Sequence, residues 1–202
     1  MRKVPRLAAL LLLSFAMTAP AQAGWSLREN GETATVTKAK MTVIAAGDWN
    51  RWSSRPSNRG EIWTSDGLLL NELSFFAEIA GGETLYREYD KRNNPLPKFS
   101  ANMLPTDIVE LFEASSRIIL QTSVFEMLDI QPAKFAGHDG VRFAYKYSAG
   151  DDQLVRRGEG VGAIIEGRLY LANYVAPEIY YFDKDLQNFR DMAASIKLAK
   201  DK

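Results

Sequence analysis

The residues in this chain whose types and spacing could do chemistry are few, and the densest group lies between Gly47 and Gly60. There, Trp49, Arg51, Trp52, Arg55 and Arg59 crowd a short polar stretch. Tryptophan and arginine are enriched where proteins meet partners, so Trp49, Arg51 and Trp52 are candidate binding residues. The competing role is a plug that tucks back into the core. Residues 82–103 hold a second such stretch, in which Tyr86, Arg87, Tyr89 and Arg92 interleave, and Tyr86 and Arg87 complete the candidate set.

No reaction motif accompanies them. His138 is the only histidine and stands in Gly137-His138-Asp139-Gly140, where a turn position explains it fully; a relay or metal site built on it would lack histidine partners. There is no Gly-x-Ser-x-Gly elbow. Asp151-Asp152 are adjacent acids in a polar turn, without the ligand spacing of a calcium loop. Gly158, Gly160 and Gly162 imitate a phosphate loop, but they sit two apart inside a strand-like run that opens no helix. With no cysteine, thiol nucleophiles, thiolate metal sites, disulfides and a lipid-bearing cysteine are all excluded. No catalytic residue, metal or cofactor is expected.

The segment preceding these groups speaks to compartment. Arg2, Lys3 and Arg6 form a basic start, Leu7 to Met17 an apolar run too short to span a bilayer, and Ala21-Gln22-Ala23 a small-residue cleavage site, which together read as an export signal over 1–23. Its removal leaves 22 Lys and Arg against 25 Asp and Glu, a formal charge of −3. That balance argues against a nucleic-acid partner. No later stretch is long and apolar enough to be a transmembrane helix, so an exported, periplasmic or secreted protein with a single domain over 24–202 is expected.

The elements that must position the candidates are mostly strands. Residues 135–177 hold three strand-like runs punctuated by Asp139-Gly140 and Glu166-Gly167, the short-range mark of antiparallel strands joined by tight turns. Val141, Phe143, Tyr145 and Tyr147 fall on one face of the first run. Arg168 to Val175 has no polar face, as a central strand covered on both sides would. Earlier, residues 34–46 read as a strand or two short pieces, 47–60 as a loop, and 61–79 as a hairpin across Ser65-Asp66-Gly67. Ile108, Leu111, Phe112, Ser115 and Ile119 recur at helical spacing up to Gln121, and Val124 to Ile130 is a strand that Pro132 disturbs. A closing helix has Asp183 as its N-cap and an apolar stripe of Leu186, Phe189, Met192, Ala193 and Ile196. Its outward-facing Asn188 and Arg190 are expected to tolerate truncation. The sum is an α+β fold with a mostly antiparallel sheet of about six to seven strands, one mid-chain helix and one C-terminal helix packed on it.

This order, with the Gly-rich penultimate strand and the Tyr174-Val175-Ala176-Pro177 run into the last helix, resembles the PsbP-like α/β/α sandwich. The resemblance implies a non-catalytic accessory or binding protein of the cell envelope with a protein partner. Two other functions stay open on the residues alone, a carboxylate-dependent hydrolase and a carrier of a small apolar ligand. Convergent carboxylates in a cleft would favour the first, and an enclosed apolar cavity the second.

Overall fold

The computed structural model describes residues 24–38, 40–148 and 154–199; residues 1–23, expected to be an export signal, and Asp151-Asp152 lie outside the described residues. The strands are β1 (Trp25–Arg28), β2 (Thr33–Val36), β3 (Met41–Ile44), β4 (Trp49–Trp52), β5 (Gly60–Thr64), β6 (Glu72–Ile79), β7 (Phe125–Phe135), β8 (His138–Ser148), β9 (Val155–Ile165), β10 (Arg168–Pro177) and β11 (Lys197–Leu198). The helices are α1 (Pro105–Leu120) and α2 (Tyr181–Ser195). Every pairing is antiparallel. The main sheet has eight strands in the order β1-β4-β5-β6-β10-β9-β8-β7, rather than six or seven, and β11-β3-β2 form a separate small sheet.

The extra strands of the main sheet, β1 and β4, are short, and the strand in two pieces expected over 34–46 belongs to a sheet of its own. Residues 33–44 become the β2–β3 hairpin of the small sheet, and Trp49–Trp52 is strand β4, paired on both sides, within the stretch read as a loop. Four residues of mixed polarity give too little periodicity to declare a strand; pairing partners far along the chain supply what the local pattern lacks. The turn of the β7–β8 hairpin is Ala136-Gly137, with φ of 49° and 87°, and not Asp139-Gly140, which lies inside β8. Glu166-Gly167, with φ of 51° and 73°, does turn β9 into β10. Positive φ at both central residues matches the twist of the flanking strands. Pro132 leaves β7 unbroken because β7 is an edge strand, where a missing N–H is tolerated.

The sheet is covered on both faces, and side-chain alternation sorts the core into two. Tyr170, Ala172 and Tyr174 of β10 face α2 and the small sheet, with Leu73 and Phe75 of β6 and Trp49 of β4. Leu169 and Leu171 face α1 and the 80–104 segment, with Phe76, Phe143, Tyr145 and Tyr147. β10 is thus buried on both sides, as its lack of a polar face required. Helix α2 starts at Tyr181 and not after Asp183: a tight turn at Tyr180, in which the Tyr181 amide donates to the Ile179 carbonyl at 2.9 Å, launches the helix and leaves Asp183 in its first turn.

The glycines of β9 set the depth of the α1 face. Gly158 and Gly160 sit opposite Tyr145 and Phe143 of β8, and a Cβ on either would run into those rings. Both rings therefore lie across β9, and that of Tyr145 floors a cavity.

Candidate functional site

The cavity, of about 220 Å³, opens between the sheet and α1. The sheet brings Glu72 from β6, Tyr145 and Tyr147 from β8 and Asn173 and Val175 from β10; α1 brings Phe112, Ser116 and Ile119; β7 brings Phe125; and the 80–104 segment closes the remaining side with Tyr86 and Tyr89. Aromatic rings make up much of its wall. Tyr145 stacks on Phe125 at 4.9 Å and lies 5.2 Å from Phe112, while Phe125 stacks on Tyr147 at 5.7 Å. Tyr86 meets Phe76 edge-on at 5.4 Å.

Two polar features are set into this wall. The Tyr145 hydroxyl donates to Asn173 Oδ1 at 3.0 Å, which fixes both side chains. Burial holds the Tyr145 phenol well above its usual range, and that of Tyr86 likewise. Glu72 is the only charged residue of the lining. Among the described residues, no hydrogen bond or ion pair reaches its carboxylate. Burial raises its pKa to about 7, against a smaller lowering by the Arg156 guanidinium. Arg156 itself is engaged elsewhere, donating to the Leu69 carbonyl at 2.8 Å.

The five candidates read from the sequence do not form one surface. Trp49 is fully buried, edge-on to Tyr174 at 6.4 Å, with its indole N–H donating to the Ala46 carbonyl at 2.8 Å. Arg51 points to the same side of β4 and pairs with the buried Glu61 at 3.0 Å. Trp52 takes the opposite face, half-buried, and stacks on Trp25 at 6.0 Å. Tyr86 lies between the cavity and a polar cleft and lines both, whereas exposed Arg87 borders only the cleft, with Ser57, Lys91 and Lys98. His138 is exposed at the start of β8.

Glu72, Asn173 and Ser116 were not singled out in the sequence. One signal was available for Glu72: it heads a strand whose following residues are nearly all apolar and buried. Asn173 and Ser116 carry no such mark, because polar residues in a strand and on a helix are ordinary until the partners across the gap are known.

No family model matches the chain, and no curated protein matches it significantly. Solved structures do match. The solution structure of cyanobacterial PsbP from Synechocystis aligns over 92% of this chain and 99% of its own, with a TM-score of 0.55 at 15% identity. A crystal structure from Bacteroides thetaiotaomicron aligns over 85% of this chain and 50% of its own, with a TM-score of 0.51 at 7% identity. At such identities the likeness speaks to fold alone, and the chain has a PsbP-like α/β/α sandwich fold.

Proposed function

We propose that this chain is an exported, non-enzymatic binding protein of the cell envelope that holds a small ligand in the cavity between the sheet and α1. The observation that carries this reading is the cavity: partly enclosed, walled by aromatic rings, with a few polar groups set among them, as ligand sites generally are. Its volume of about 220 Å³ is below the roughly 300–1,000 Å³ of sites for drug-sized molecules, which points to a smaller guest. A hydrolase working by paired carboxylates is less well supported, since Glu72 is the only carboxylate of the lining. The basic and apolar stretches at the start of the sequence support export.

Val175→Phe fills the cavity from the sheet side. Wild-type protein is expected to show saturation-transfer NMR signals from small aromatic probes such as phenol, and Val175→Phe to lose them while keeping its circular dichroism. Equal signals from both proteins would place the probe elsewhere and end the reading.

A protein partner is a second reading, favoured by the Trp25–Trp52 stack on β1 and β4, where Trp25 is 43% and Leu27 52% exposed. Trp52→Ala should weaken capture of a crosslinked envelope partner by more than about 1 kcal/mol while leaving thermal stability nearly unchanged. An unchanged crosslinking pattern would remove that surface from consideration.

A further inference from the structure

An aromatic cavity for a neutral hydrocarbon has no use for a carboxylate. Glu72 is half-buried among rings that solvate its charge poorly, and among the described residues no protein group donates to it. Drawing a carboxylate even partly out of water without a partner is costly, so its presence in the wall calls for a guest that supplies what the protein leaves out. An anion would be repelled. A neutral donor would satisfy one carboxylate oxygen but gain little from the ring faces. A cation is matched to both, because the faces of Phe and Tyr carry negative electrostatic potential and attract positive charge. The wall already shows this preference on its α1 side, where the Arg117 guanidinium lies 5.6 Å from the Phe125 ring centroid.

We propose that the cavity takes a small organic cation, an alkylated ammonium seated against the rings of Phe112, Phe125, Tyr145 and Tyr147 and opposite the Glu72 carboxylate. The proposal rests on the cavity being the ligand site. The guest's alkyl groups meet apolar walls, its charge meets Glu72, and the Tyr145–Asn173 hydrogen bond keeps the floor in place. A bound cation also stabilises the ionised carboxylate against burial, so binding strengthens as pH rises from 6 to 8. The other charged or titratable groups near Glu72 are Arg156 on β9, Tyr86 on the 80–104 segment, and Tyr145 with Tyr147 on β8. Arg117 on α1, paired with Glu113 at 2.8 Å, stands beyond Phe125. Burial holds the Tyr86 and Tyr145 phenols further above that pH interval.

Choline and its uncharged carbon isostere, 3,3-dimethyl-1-butanol, separate charge from shape. With the full chain at pH 8, calorimetric titration is expected to show choline binding at least tenfold more tightly than the isostere. Its affinity should fall at pH 6, and Glu72→Gln should bind the two alike. Equal affinities in the wild type, or undiminished choline binding by Glu72→Gln, overturn the cation proposal. Loss of choline binding in Val175→Phe is expected, and its retention there also overturns it. Phenol signals distinguish the two failures: phenol bound by the wild type and lost in Val175→Phe, with choline inert, leaves the cavity reading intact and removes only the cation. Failure of phenol and choline alike removes both.

Discussion

Phe189→Ala is expected to lower the unfolding free energy by about 4 kcal/mol, because the substitution empties a site enclosed on all sides. Phe189 is 1% exposed and packs on Tyr174 at 5.9 Å, so the cavity cannot refill from solvent or close without moving the sheet. Its two neighbours are expected to differ from each other. Asn188 donates to Asp185 Oδ1 at 2.9 Å on the partly exposed side of the helix, and its truncation should cost about 1 kcal/mol or less. Arg190 looks like a surface residue by sequence, yet its guanidinium grips Glu159 on β9 with two hydrogen bonds, 2.9 and 2.7 Å long. The Glu159 side chain is 6% exposed, so Arg190→Ala strands a buried carboxylate. Because the Arg190 side chain is 43% exposed and water can partly replace it, the cost should be about 2 kcal/mol, below the loss for a fully buried pair. Adding Glu159→Gln to Arg190→Ala should recover much of it. Denaturant midpoints for the three single variants and the double decide the matter; a uniform small change at 188, 189 and 190 would mean that α2 does not dock through Phe189.

Glu72→Gln is expected to do the opposite, stabilising the protein by at most about 3 kcal/mol at pH 8, less to the extent that water reaches the half-buried carboxylate, and changing little at pH 4. Burial raises the Glu72 pKa from 4.5 to about 7. Between those values the folded protein holds a proton that the unfolded chain has released. The stability this group contributes is therefore full below pH 4.5 and is lost as pH rises through 7. Glutamine has nearly the same shape and no charge to bury, so it escapes the loss. Urea denaturation of wild type and variant across pH 4 to 8 reads the difference directly. Parallel curves would show that the carboxylate is solvated in the empty cavity. A stable Glu72→Gln protein also makes that variant a sound control for ligand titrations, since lost binding could not be blamed on lost folding.

Period and punctuation were sufficient by themselves for the parts of the chain whose neighbours in sequence are also neighbours in space. The α1 stripe from Ile108 to Ile119, the Glu166-Gly167 turn, the one-sided Val141–Tyr147 run and the two-sided β10 all belong to this class, and with them the α+β, PsbP-like plan. What only tertiary structure decided depended on partners remote in sequence. Trp49–Trp52 becomes a strand because β1 and β5 lie on either side of it, which also sends Trp49 into the core and Trp52 outward. Arg190 acquires importance from a glutamate 31 residues away. Of the β9 glycines, Gly158 and Gly160 make room for rings from β8 and Gly162 for Leu171 of β10. Above all, the cavity exists only where β6, β8, β10, α1 and the 80–104 segment meet, so Glu72 takes on its character from residues that no local pattern associates with it. A side chain's burial and charge environment are properties of the closed space around it, and closure is a long-range event.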